Sequence, residues 1–405
     1  MPFDMRTVDQ ETLPRRETLD PRIRLLAIGS FAIGTDMMVI SGILPMIAND
    51  LSISNATAGQ LVSAYAFAYA IGAPIFAALT ARLPGNRVVL AALALFALAS
   101  VSAAVAPDFA TLIGARIVAG LAAAIYSPTA YTIASTMASP AQRGAALAAV
   151  ILGLSSSALV GVPLGVAIGS SVGWHGTYWT ITILALIGMG ALIVNPLPRI
   201  QNTTLLGFWQ RFAPLTDRRV LMTLLPSVFW NVAIFTLFTY LGAILHGHGY
   251  NNTEIASLMI ALGLGSVTGS QLGGWTTDRW GGRRPILIFL TLGTLGLGAL
   301  PWAIATTPTL AIALFVMGTV GWGTFTPQQS RLIALDPAAA SVNLALANST
   351  LYGSQALGAI LGAVVIPVIG LDNLAFVSVA MMQLAIATML IGVRLRFRRA
   401  VTSPN

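Results

Sequence analysis

Few residues in this chain can do chemistry, and two of them stand where charge is expensive. Asp36 lies in the stretch FAIGTDMMVISGILP, inside an apolar run from about Leu25 to Ala48. Arg116 lies in LIGARIVAGLAAAIYSP, inside a second such run. A charge at the centre of a bilayer costs about 2.5–3.5 kcal/mol on insertion scales, so an ionisable group there is a functional candidate by default. Asp36 is ~12 residues, or ~18 Å of helix, from one end of its run, and Arg116 is ~7 residues, or ~10 Å, from the opposite end of its own. In a hydrocarbon core about 30 Å thick these depths are similar, so the two charges are expected near one another. A neighbouring cation favours the carboxylate, while burial favours the neutral acid. A carboxyl held between the two influences can take up and release a proton as water access changes. The alternative role for both residues is polar glue between helices.

The runs that hold these residues set the class. Of 405 residues, 56% are hydrophobic and 8% charged, against about 25% charged in a soluble domain. The apolar segments are long and lack the alternating ~10-residue pattern of barrel strands. The expected class is therefore an all-α membrane protein. A crossing helix needs about 20 apolar residues, and twelve spans are expected, over 24–48, 57–81, 87–106, 109–137, 142–169, 174–196, 220–246, 253–276, 285–305, 308–330, 340–368 and 371–394. Turn signals such as Pro84-Gly85, Pro107-Asp108, Ser139-Pro140, Gly281-Gly282 and Asp336-Pro337 separate them.

Charge placement gives orientation. Lysine is absent, and the net charge of +8 comes from arginine. Alternate connections carry Arg82, Arg87, Arg143, Arg199, Arg211, Arg218, Arg219, Arg279, Arg283, Arg284 and Arg331, with Arg394, Arg396, Arg398 and Arg399 at the end. The connections between them carry Asp50, Asp108, Glu254 and Asp372 and no arginine. This positive-inside pattern places both termini in the cytoplasm. Arginines beside apolar spans favour a membrane surface over nucleic acid. Residues 1–23, broken by Pro14 and Pro21, read as a disordered cytoplasmic leader without the apolar core of a signal peptide. Cysteine is absent, which excludes disulfides and thiolate metal sites.

The polar connection 197–219 divides the chain into six-span halves, 24–196 and 220–396, with a tail over 397–405. GAPIFAALTARLPGNRVVL (72–90) and GSQLGGWTTDRWGGRRPIL (269–287) match at Gly72/Gly269, Thr80/Thr277, Arg82/Arg279, Gly85/Gly282, Arg87/Arg284 and Leu90/Leu287. The same offset pairs Gly161 with Gly358 and Gly165 with Gly362. Parallel six-span repeats are a transporter architecture with the substrate site between the halves.

Four stretches carry a more specific likeness. TDMMVISGILPMIANDL (35–51), LIGARIVAGLAAAIYSP (112–128), GVPLGVAIGSSVGWHGTYW (161–179) and GGWTTDRWGGRRP (273–285) together resemble the major facilitator superfamily. Within it they resemble the twelve-helix drug/proton antiporters and their sugar-efflux or arabinose-efflux-permease-like branch. The resemblance spans about residues 24–396 and implies two pseudo-symmetric six-helix halves and a monomer. Asp36, with Arg116 beside it, is the proton-coupling acid expected from the buried charges. The resemblance implies a cytoplasmic gate of interdomain ion pairs among Arg82, Arg87, Asp278, Arg279, Arg283 and Arg284. It also implies an antiporter-signature helix at Gly161, Pro163 and Gly165 that packs against the other half. Ala81 departs from the pattern, because the family usually carries an acid there. The family lines its cavity mainly with helices 1, 4, 7 and 10 and their neighbours. Candidates here are Tyr65, Tyr69, Tyr126, Tyr131, Asn231, Phe235, Tyr240, Trp322, Gln328, Asn348, Tyr352 and Gln355. Aromatics near span ends can instead be interface anchors.

No phosphate-binding glycine loop, nucleophile-and-base set or metal-ligand cluster stands out, so neither ATP, an enzyme, a cofactor nor a metal is expected. His246 and His248 supply at most half a metal site. The expected activity is proton-driven efflux of a small organic molecule across a bacterial inner membrane. A proton-linked importer and a non-transporting receptor on the same fold remain open alternatives.

Overall fold

The computed structural model describes residues 19–139, 142–200, 216–336 and 340–402, without the side chains of 340–341 and 392–402. Most of the expected leader and linker, Arg211 and the end of the tail lie outside the described residues, as do the side chains of Arg394, Arg396, Arg398 and Arg399. Among the described residues twelve helical spans are long and apolar enough to cross a membrane. They are α1 (Pro21–Asp50), α2 (Asn55–Leu79), α3 (Gly85–Ala104), α4 (Phe109–Met137), α5 (Arg143–Val172), α6 (Trp174–Val194), α7 (Arg218–Gly247), α8 (Asn252–Trp280), α9 (Arg283–Ala303), α10 (Thr307–Leu335), α11 (Ala340–Ile369) and α12 (Leu374–Thr402). No strand occurs among these residues.

Caps explain where the helices begin. Asp20 accepts the Arg22 backbone N–H at 2.9 Å, and Pro21 takes the first helical position. Pro21 therefore starts α1 and does not break the leader there, because its missing N–H falls among groups left unpaired at a helix start. Asp108 accepts from Thr111 at the start of α4, and Asn251 with Glu254 forms a reciprocal cap on α8. α12 runs beyond the expected end at 394, since no proline interrupts it before Pro404. Two spans are irregular inside. α5 carries a π-helical turn over Ser157–Gly161, where the Val162 N–H bonds back to Ser157. Pro163 follows at once, and a wider turn relieves the clash of its ring with the preceding turn. α10 is interrupted at Thr324, between Gly323 and Phe325.

Helices α1–α6 pack on one another, as do α7–α12, and the main contacts between the groups are α1 with α7, α2 with α11 and α5 with α8. Side chains such as Leu98, Ile193, Leu295 and Val368 point outward, as a hydrocarbon-facing surface requires. The halves approach closely near the arginine-free side. A Cβ on Gly242 of α7 would overlap the Ser41 carbonyl of α1. One on Gly59 of α2 would overlap the Tyr240 hydroxyl of α7.

Candidate functional site: a buried ion pair and its tyrosines

Asp36 stands at the middle of α1, within a run from Ala32 to Pro45 in which every residue is buried. No face of α1 meets lipid there, so the carboxyl must be satisfied by protein. α4 supplies the partner. Arg116 donates from Nη1 to Asp36 Oδ2 at 2.6 Å, with both side chains 1% exposed. Its Nε donates to the Leu61 carbonyl of α2 at 3.4 Å, and its guanidinium carbon lies 4.4 Å from the centre of the Tyr65 ring. Tyr178 of α6 comes beside the guanidinium without a well-aligned hydrogen bond. Four helices of one half thus converge on one carboxyl and one cation.

The arrangement has two charge states with different demands. Ionised, Asp36 neutralises Arg116 in a water-poor place where attraction is strong. Protonated, it leaves the guanidinium with an aromatic face and a carbonyl, which attract a cation more weakly. Removing one partner of a buried pair costs about 3–5 kcal/mol, whereas the intact pair is worth little net. The pair is therefore costly to break although it adds little net stability while intact.

A second set joins this pair to the other half. Tyr65 and Tyr69 are one helical turn apart on α2 and share a face. Tyr69 stacks on Tyr352 of α11, with ring centres 3.5 Å apart and planes at 22°. Ser127 of α4 lies beside the Tyr69 side chain. Gln355, one turn beyond Tyr352, is buried with its Oε1 unpartnered among the described residues. Tyr131, Trp322 and Asn348 are half-buried.

Other cavity candidates do different work. Tyr126 donates to the Leu26 carbonyl at 2.6 Å and straps α4 to α1. Tyr240 donates to the Ala359 carbonyl at 2.8 Å and straps α7 to α11. Gln328 donates to the Thr223 carbonyl at 2.8 Å, joining α10 to α7. Asn231 donates to Ser227 within α7, and Phe235 meets Phe238 edge-on. Tyr126, Tyr240 and Gln328 are thus committed to helix–helix contacts, because a buried polar group inside a span must find a partner.

The antiporter-signature stretch of α5 packs against α8 of the other half, through both the turn over Ser157–Gly161 and the helix over Val162–Val172, while its glycines seat within their own half. Gly161 seats against Thr35 and Gly165 against Val39, both on α1 of the same half. Pro163 is buried beside the π turn. The tightest point of that contact is at Ala158 and Leu159, against which Gly263 of α8 packs without room for a Cβ.

The expected gate is not assembled in this conformation. Arg82, Arg87, Asp278, Arg279 and Arg284 are exposed and Arg283 is half-buried, and none of them makes an ion pair among the described residues. Arg279 lies over the Trp275 ring at 5.4 Å. Ala81 is buried where the family's acid would stand. His248 accompanies Asp372 at 3.8 Å, and no group of three metal-ligating side chains occurs among the described residues. Tyr178 was missed by sequence reasoning although it lies in the quoted stretch GWHGTYW. So was the pairing of Trp174 Nε1 with Asp50 at 2.8 Å.

Comparison with known proteins agrees with this architecture. The uncharacterized MFS-type transporter YbcL of Bacillus subtilis (strain 168) is 32% identical over 371 residues, covering 91% of this chain and 95% of the relative. The chloramphenicol resistance protein of Streptomyces lividans is 31% identical over 306 residues, covering 74% and 77%. The crystal structure of a D-xylose-proton symporter superposes with a TM-score of 0.78 at 17% identity, over 92% of this chain and 97% of that one, which shows the shared fold. The sequence profile of the Major Facilitator Superfamily matches residues 26–359. With its twelve spans and that match, the chain belongs to the Major Facilitator Superfamily of membrane transporters.

Proposed function

We propose that this transporter is a proton-driven exporter of small organic molecules in a bacterial cytoplasmic membrane, with its arginine-bearing side and both termini in the cytoplasm. The observation that carries the reading is the Asp36–Arg116 pair, sealed inside the half formed by α1–α6. Asp36 takes a proton from outside as substrate leaves, and its deprotonation inside resets the cycle. Between these events the two halves rock about the substrate path. The proton gradient supplies about 2.3 kcal/mol per charge per 100 mV. The likeness to a chloramphenicol resistance protein supports export of a drug-like compound. The tyrosines, Asn348 and Gln355 near the interface offer rings and neutral polar groups, which favours a neutral, lipophilic or weakly cationic substrate. A monomer suffices, because one chain holds both halves.

The test is transport in proteoliposomes loaded with a pH dye, using lipophilic cations, neutral antibiotics and sugars. Substrate-dependent proton movement is expected in the wild type and not in Asp36→Asn, and its sign separates export from import. Undiminished proton movement in Asp36→Asn would overturn the assignment.

A further inference from the structure

The ion pair belongs to one half, yet rocking is a movement between halves. Two routes lead across: α1 itself, which packs on α7, and the side chains around the pair. The groups facing Asp36 are Arg116 from α4, Tyr65 from α2 and Tyr178 from α6. The other helices packed on α1 carry charged or imidazole side chains only near their ends: Arg143 on α5, Arg218, Arg219 and His246 on α7, and Glu254, Asp278 and Arg279 on α8. Of the groups facing Asp36 only Tyr65 stands on a helix that also reaches the other half at this depth. One turn along, Tyr69 is in ring-to-ring contact with Tyr352 of α11.

We propose that Tyr65 and Tyr69 are positioning residues that pass the charge state of Asp36 to the contact between the halves through the Tyr69–Tyr352 stack. When Asp36 is protonated, the guanidinium loses its counter-charge and leans on the Tyr65 ring, a face it already occupies at 4.4 Å. The Tyr65 hydroxyl has no hydrogen-bond partner among the described residues, so the ring is the part that acts. Tyr65 and Tyr69 share one stiff helix face, so a tilt at one displaces the other. The stack resists that tilt, because offset aromatic pairs have a preferred geometry. The path is short and passes through two side chains that touch, directly or through one turn of helix, a two-state element at each end. Tyr131 and Ser127 flank it from α4 and bring no charge.

This inference rests on Asp36 as the proton-coupling acid, and its test separates the two. The chain has no cysteine, so Ser41→Cys introduces the only thiol. Ser41 is buried where α1 meets Gly242 of α7, and parting of the halves is expected to expose it. Full-length protein in proteoliposomes is labelled with a membrane-impermeant maleimide between pH 5 and pH 8. Each rate is divided by that of the unfolded protein at the same pH to remove thiol ionisation. Normalised labelling of Ser41→Cys is expected to change about fivefold or more across this range, the lower end of ordinary coupling. Adding Asp36→Asn should flatten the profile. Adding Tyr69→Leu or Tyr352→Leu should flatten it too, while Tyr69→Phe, Tyr352→Phe and Tyr65→Phe, which keep the rings, should restore it. A pH-dependent profile in Asp36→Asn overturns the reading of Asp36. A flat profile there with an unchanged one in both leucine variants overturns the role of the stack. If one leucine variant fails to reach the membrane, the other, on the opposite half, still decides.

Discussion

Gly161 and Gly358 occupy the same seat in the two halves. Gly161 sits on Thr35 of α1, and Gly358 sits on Val232 and Thr236 of α7. The interval from Gly161 to Gly358 equals the interval from Thr35 to Val232. Gly165 and Gly362 repeat the relation one turn further, against Val39 and against Thr236 with Tyr240. The internal repeat is therefore a repeat of contacts: α5 lies on α1 as α11 lies on α7. These close approaches bind the helices of each half tightly to one another.

Gly161→Ala is expected to destabilise the protein by about 1–3 kcal/mol, the usual cost of overpacking. The added methyl would overlap Thr35 Oγ1, which donates to the Phe31 carbonyl at 2.8 Å and cannot turn away freely. Thr35→Ala should restore most of the loss when combined with Gly161→Ala, because contacting sites are not additive. Melting temperatures of the four proteins in detergent measure this. Independent, additive shifts would refute the contact.

Arg116→Ala strands a buried carboxylate, and a loss of about 3–5 kcal/mol is expected. Asp36→Asn with Arg116→Met removes both charges and should melt close to the wild type while losing proton coupling. If the double variant is as unstable as Arg116→Ala, the cost lies in lost packing around Arg116 and not in the unpaired charge.

The pH profile of stability should show Asp108. The Thr111 backbone N–H donates to its carboxylate at 2.8 Å at the start of α4, which holds this exposed acid below its ordinary range. A depressed acid stabilises the folded state above its unfolded pKa and loses that contribution as pH falls through the folded pKa. Asp108→Asn keeps an acceptor but cannot titrate. The wild type should therefore melt above Asp108→Asn near neutral pH, and the gap should close as pH falls below the ordinary carboxylate range. A gap that persists at acid pH would mean that the cap acts without its charge.

The spans and the ion pair were legible for the same reason. In lipid every polar or charged side chain is costly, so the few present carry much of the information. Twelve apolar runs and the one-sided arginines revealed the helices, and Asp36 and Arg116 stood out as exceptions within them. The purpose of the remaining polar residues was not legible. Tyr69 and Tyr126 look alike in an apolar run, yet one stacks across the halves and the other straps α4 to α1. That difference depends on which neighbour lies opposite, and helix periodicity does not encode it. The glycines of α5 were legible only in part: small residues announce a close approach without naming the helix approached, which for Gly161 and Gly165 is α1. Pro163 hinted at an irregular helix, but the π turn before it required the backbone itself.

The seal near the arginine-free side gives the last expectation. Tyr240 is fixed within its own half by its bond to the Ala359 carbonyl and by Gly362 beside its ring. Its hydroxyl end reaches the other half where Gly59 leaves space, with ring atoms 2.5 Å from the position a Cβ would take. A larger residue at Gly59 cannot push Tyr240 aside without breaking that bond, so it should push the halves apart. Gly59→Val is expected to favour the conformation open on this side by about 1–3 kcal/mol, which speeds maleimide labelling of Ser41→Cys by about 5- to 150-fold. Tyr240→Ala removes the obstructing ring and should return the rate toward that of Ser41→Cys alone. Unchanged labelling in Gly59→Val would show that the α2–α7 contact plays no part in closure. Fast labelling that Tyr240→Ala fails to slow would show general loosening of α2, with no wedge against Tyr240.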